Sequence, residues 1–225
     1  MALLLCDLDD TLADRQSIFD AWAESFLVEV GCDASEASWL IEVDACGYTP
    51  RDEFFARVVE RFTPDESVEA FAQRYHRDYV ESFRCTREVV VALDQARQAG
   101  FKIAIVTNGP TRAQAAKLAA TGLDKIVDAC CISEAEGFWK PAPELFRIAA
   151  GRCNESMDDA WMIGDNPVAD ICGAASLGVR TAWMRLGRTW PEDLEYKPTL
   201  EAESVAEAVD FILGYVPPST ERVAT

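Results

Sequence analysis

The chain is poor in the residues that most often build metal and nucleic-acid sites. It has a single histidine, His76, so no Cys/His zinc set can be assembled. Its eight cysteines, at 6, 32, 46, 85, 130, 131, 153 and 172, contain no C-x-x-C pair. They read as small hydrophobes in a reduced, cytoplasmic protein. No run of about eighteen apolar residues exists, which excludes a transmembrane helix. The segment Met1–Asp7 has no basic stretch and too short an apolar run for a secretory signal. Positive charge is scarce: 21 Lys+Arg face 39 Asp+Glu, a net charge of −18. Such a surface repels nucleic-acid polymers and anionic membranes. An anionic small substrate is repelled too, unless one pocket concentrates positive charge.

What is present is globular. In 225 residues, 49% are hydrophobic and 27% charged, which suits one domain or a core with a smaller insert. Leu3-Leu4-Leu5-Cys6 is a short apolar run that stops at Asp7 and reads as a buried parallel strand. Residues 14–86 then show helical spacing only: Ile18, Phe19, Trp22, Phe26 and Val30 first, a second helix over about 35–45, a third opening at Thr49-Pro50, and a fourth carrying Val68, Phe71, Tyr75 and Tyr79. This predicts an inserted all-helical subdomain. From residue 87 strands and helices alternate, with strands over 102–106, 126–132, 160–163 and 179–184 and helices over 87–99, 110–120, 141–151, 167–177 and 204–213. That alternation predicts an α/β parallel sheet with crossover helices. Residues 217–225 have no periodicity and read as a loose tail.

In open α/β sheets ligands bind at the carboxyl ends of the strands. Those ends carry Asp7-Leu8-Asp9-Asp10-Thr11, Thr107-Asn108-Gly109 and Gly164-Asp165-Asn166, with Asp170 beyond. Lys140-Pro141 sits in a further loop and is expected to open the next helix. Each segment alone is also explained as a cap or a turn. Together they place Asp7, Asp9 and Asp165 at one sheet edge, where crowded carboxylates need a counter-charge. A hard divalent cation with oxygen ligands supplies it, and magnesium fits few carboxylates. The glycine and glutamate of a calcium EF-hand loop are missing.

The ordered set Asp7-x-Asp9-x-Thr11, Thr107, Lys140 and Gly164-Asp165-Asn166-x-x-x-Asp170 resembles the haloacid dehalogenase-like hydrolase superfamily over roughly residues 2–213. The resemblance implies a Rossmann-like core over 1–13 and 87–216 with a helical cap over 14–86, hinged near 13–16 and 83–87. It implies a phosphatase whose Asp7 is the nucleophile, forming an aspartyl-phosphate, and whose Asp9 is the general acid and base. Mg2+ is then held by Asp7, Asp165 and the main-chain carbonyl of Asp9. Thr107, the amide of Asn108 and Lys140 grip the phosphoryl group, while Asp170 and Asn166 act from behind them. Asp9 disfavours a dehalogenase, which has no leaving-group oxygen to protonate. The absence of lysine from 14–86 removes phosphonatase chemistry.

A sugar-phosphate mutase using the same core is the alternative enzyme. A binding module with a vestigial site would have lost Asp7, Asp9 or Lys140. The cap holds seven arginines against sixteen acids, so it is no general anion collector. Its polar turn Gly47-Tyr48-Thr49-Pro50-Arg51 offers Tyr48 and Arg51 as selectivity residues; the competing reading is a helix start with a solvated arginine. Trp22, Phe26, Phe54 and Phe55 read as cap core, and His76 as a surface residue. The expected partner is a small phosphorylated metabolite, and the expected state a monomer or homodimer.

Overall fold

A computed structural model describes residues 2–215; the predicted tail lies outside the described residues. Six parallel strands form one sheet in the order β3-β2-β1-β4-β5-β6: β1 Ala2–Cys6, β2 Phe101–Thr107, β3 Ala129–Ile132, β4 Trp161–Gly164, β5 Arg180–Met184 and β6 Leu200–Ala202. Leu4 pairs with Ile103 on one side and Trp161 on the other, so β1 lies between β2 and β4. The alternation of a strand explains why Leu3-Leu4-Leu5-Cys6 is apolar without a break. Leu4 and Cys6 enter one core cluster with Ile103, Ile105 and Ile163. Leu3 and Leu5 enter another with Ala104, Val106 and Met162. Both faces are covered by helices, and neither tolerates a polar side chain.

Between β1 and α5 (Arg87–Gln98) lie α1 (Arg15–Val30), α2 (Ala37–Asp44), α3 (Arg51–Phe62) and α4 (Val68–Asp78). They share a separate aromatic core that includes Phe19, Trp22, Phe26, Phe54, Phe71, Tyr75, Tyr79 and Phe83. Trp22 stacks on Phe26 at 5.3 Å between centroids and meets Tyr75 edge-on at 4.8 Å. The rings are thus packed against one another, as their helical spacing implies, and offer no stacking platform. Asp14 caps α1 by accepting from Ser17 N–H at 2.9 Å. Asp10, in the left-handed region at φ 56°, instead accepts from Gln16 N–H.

The sheet is completed by α6 (Thr111–Thr121), the short α7 (Ser133–Glu136), α8 (Pro143–Cys153), a π-type turn Pro167–Cys172 running into α9 (Gly173–Ala175), and α10 (Val205–Gly214). Several expected boundaries move. α3 begins at Arg51 after Pro50, and Thr49 makes no capping bond. The Lys140–Pro141 peptide is cis and α8 starts at Pro143, so Pro141 does not open that helix. Gly151 lies inside α8, which ends at left-handed Asn154. Ile126 and Val127 continue the turn from Leu123 through hydrogen bonds to its carbonyl, which shortens β3. The edge strand β6 is only three residues long, too short to show a period. His76 is half-buried, not fully on the surface. Among the described residues no helix is long and apolar enough to cross a membrane, and the eight cysteines are free.

The insert's core gives a direct expectation. Phe54 is 0% exposed and touches Phe19, Trp22, Phe55 and Tyr75. Phe54→Ala is expected to cost about 3–5 kcal/mol, read from urea unfolding followed by circular dichroism.

Candidate functional site at the carboxyl edge of the sheet

Because β1, β2 and β4 are neighbours, the residues that follow them meet at one edge. Asp7 prolongs the ladder by donating its N–H to the Ile163 carbonyl at 2.9 Å. Its carboxylate faces Lys140, whose Nζ lies 2.5 Å from Asp7 Oδ1, 2.7 Å from Asp170 Oδ1 and 2.6 Å from the Val106 carbonyl oxygen. Three contacts occupy the three protons of an ammonium. Lys140, expected to grip phosphate, here spends its donors on the two carboxylates and the end of β2. Asn108 secures that loop from both sides: its Nδ2 donates to the Lys140 carbonyl at 3.0 Å, and its Oδ1 accepts from Lys140 N–H at 2.8 Å.

Asp170 reaches the site because Gly164 leaves room for it. A Cβ at residue 164 would lie 2.4 Å from the Asp170 Cβ. Asn166 shapes the turn that delivers Asp170. Its Oδ1 accepts from the N–H groups of Val168 and Ala169, and its own N–H donates to Asp170 Oδ2 at 2.9 Å.

Asp7, Asp165 and Asp170 each offer one oxygen within 4.8 Å of the others. Burial pushes the Asp7 carboxyl up, and the nearby Asp170 and Asp165 add to that against Lys140. Burial, then Asp170, raises Asp165 to about 7, although Arg188 opposes the shift. Burial disfavours the Lys140 ammonium, but Asp170 and Asp7 outweigh it and hold its pKa above the ordinary value. Two of the three carboxylates therefore share one buried ammonium, and Asp165 meets Arg188 at the rim, 3.1 Å from its Oδ2. The set remains short of positive charge, and its hard oxygen donors suit a divalent cation. The donor set fits magnesium.

The carboxylate of Asp9 is not in that cluster. It is turned onto α6, where Lys117 Nζ lies 2.8 Å from both oxygens and Gln114 Nε2 donates to Oδ2 at 3.0 Å. Burial opposes ionisation of Asp9, yet the Lys117 charge and these hydrogen bonds prevail and keep its pKa below the usual carboxylate value. Thr107 is fully buried, and its hydroxyl oxygen accepts from Gln114 Nε2 at 2.6 Å.

From the insert, the Tyr48 hydroxyl accepts a hydrogen bond from Asn166 Nδ2 at 2.5 Å. Tyr48 thereby meets the loop after β4. Arg51 is neither solvated nor aimed at that loop. It pairs with Asp44 Oδ1 at 2.9 Å and donates to the Tyr75 hydroxyl and the Thr49 carbonyl. Asp44, 1% exposed, also binds Arg15 and accepts from Gly47 N–H at 2.9 Å. This fixes the turn that carries Tyr48.

A haloacid dehalogenase-like hydrolase model matches residues 1–178. The chain belongs to that family. Phosphoserine phosphatase of Thermus thermophilus is 31% identical, over 92% of this chain and 97% of its own. Glyceraldehyde 3-phosphate phosphatase of Pyrococcus furiosus is 26% identical over 96% and 90%. The fold also matches a HAD hydrolase of Bacillus subtilis solved with magnesium, with TM-score 0.72, 25% identity and coverage of 94% and 98%.

Within this haloacid dehalogenase-like hydrolase, reading the motifs finds Asp7, Lys140, Asp165 and Asp170 but misses Gln114, Lys117 and Arg188. Gln114 and Lys117 are three apart and share the face of α6 that buries Leu118, but only the fold shows that face. Arg188, in the loop after β5, has no sequence signal either. Gly164→Ala is expected to drive Asp170 off Lys140. It should lower kcat at least about ten-fold and cost about 1–3 kcal/mol, measured by steady-state assay and thermal unfolding.

Proposed function

We propose that this chain is a magnesium-dependent phosphatase that hydrolyses a small soluble phosphate monoester through an aspartyl-phosphate on Asp7. The observation that carries this reading is the meeting of Asp7, Asp165 and Asp170 within 4.8 Å, with the Lys140 ammonium bridging Asp7 and Asp170. Two phosphatase relatives that span nearly the whole chain support the same class.

In the proposed first step an Asp7 oxygen attacks phosphorus and the bond to the ester oxygen breaks. Asp9, which Lys117 keeps ionised at rest, takes up a proton from solvent on Oδ1 and passes it to the departing oxygen. In the second step Asp9 takes a proton from water as that water attacks phosphorus, and the Asp7–phosphorus bond breaks to release phosphate. Lys140 and the Thr107 hydroxyl, with the Asn108 amide, orient the phosphoryl oxygens and offset their charge. A magnesium ion held by Asp7, Asp165 and the Asp9 carbonyl, steadied by Asp170, would supply further charge neutralisation. Asn166 acts through Asp170 and Tyr48.

Residues 14–86 are proposed to act as a cap over the core of 1–13 and 87–216. Their separate aromatic core and the Tyr48–Asn166 contact support this. A closed cap excludes water from the acidic cluster. Tyr48 is the proposed selectivity contact, and Arg51 sets its turn through Asp44.

Asp7→Asn is expected to remove essentially all turnover of 4-nitrophenyl phosphate; near wild-type activity in that variant would sink the assignment of the nucleophile. Chelation with EDTA is expected to abolish phosphate release and added Mg2+ to restore it. Turnover that persists in EDTA argues against a metal-assisted site.

A further inference from the structure

A group that gives a proton to one oxygen and then takes one from another must be held in direction as well as in place. Two side chains on α6 hold Asp9. Gln114 and Lys117 are three residues apart and so share a helix face. Lys117 is 7% exposed, spans both Asp9 oxygens at 2.8 Å, and rests over the Phe83 ring at 4.6 Å. Phe83 lies on the return from the helical insert to α5, so the same ammonium touches Asp9 and the insert's exit.

Gln114 adds a second constraint. An amide nitrogen carries two protons, and both are used here, one toward Asp9 Oδ2 and one toward Thr107 Oγ1. A carboxylate only accepts, so the nitrogen of Gln114, not its oxygen, must face Asp9. The Thr107 oxygen then accepts from Gln114, and its own proton is left free to point elsewhere. One side chain thus fixes the general acid/base group and the polarity of a hydroxyl in the phosphate subsite.

Resting on the phosphatase reading above, we infer that Gln114 and Lys117 are a positioning pair for the reaction. Lys117 sets the direction of Asp9, and Gln114 turns the Thr107 proton toward the phosphoryl group. Neither is placed against the substrate; both act through Asp9 and Thr107. A buried ion pair is poor evidence for stability as such, because desolvation consumes its Coulombic gain. Its use here is directional.

The test is a series of aryl phosphates running from a good leaving group, 4-nitrophenyl, to a poor one, phenyl. Only the poor leaving group needs a well-aimed proton donor. Lys117→Met is expected to lower kcat/KM on phenyl phosphate at least about ten-fold more than on 4-nitrophenyl phosphate. Its dependence on leaving group should match that of Asp9→Asn, and the double variant should be no steeper. Lys117→Arg should recover part of the lost slope. Lys117→Gln, which keeps a donor and most of the volume, replaces Lys117→Met if that variant does not fold. Gln114→Leu should show the same steepening and also weaken inhibition by inorganic phosphate several-fold. Loss by one common factor across the series, or no loss, overturns the inference. An Asp9→Asn enzyme with the wild-type slope instead overturns the general-acid role of Asp9, while loss of all turnover in Asp7→Asn remains the separate test of the phosphatase reading.

Discussion

The site depends on one buried ammonium shared among too many carboxylates. Lys140 bridges Asp7 and Asp170 while Asp165 stands alongside with partial relief from Arg188. In water these acids would sit apart. Here the strand ends, the Asn108 bonds to residue 140 and the turn built on Asn166 force them together. The resulting shortage of positive charge is what suits the site to a divalent cation.

The helical insert is organised by the opposite arrangement. Asp44 is one buried carboxylate gathered by two arginines, Arg15 and Arg51, and by the Gly47 amide. A Cβ at Gly47 would meet the Arg15 guanidinium at 3.1 Å, so the turn closes only with glycine there. The ion cluster and the aromatic core give the insert a defined shape. That shape places Tyr48 against Asn166, the residue that also delivers Asp170. Insert and core are thus joined at a residue adjacent to the acidic cluster.

Much of this was legible in the chain. An apolar run ending in Asp7, with β2 and β4 ending at Thr107 and Gly164-Asp165, suffices to place those residues at one edge, since parallel strands present their ends together. Helical spacing likewise foretells the aromatic core of α1, α3 and α4. Local rules failed where short segments competed with packing: Gly151 reads as a helix end but lies inside α8, Pro141 reads as a helix start but precedes one, and three-residue β6 leaves no period to detect.

Sequence alone determined which residues stand at the ends of β1, β2 and β4, because strand ends and motif order are fixed by local pattern and by the chain's direction. Only the tertiary structure decided how those residues are oriented. Lys117 stands 108 residues from Asp9, and Lys140 stands 133 from Asp7. No local periodicity encodes which face of α6 turns toward β1, or that Lys140 spends its protons on two carboxylates and a carbonyl. Those outcomes follow from the order in which strands pair and from the way α6 settles against the chain at Val80–Ser82, and both are long-range results of packing.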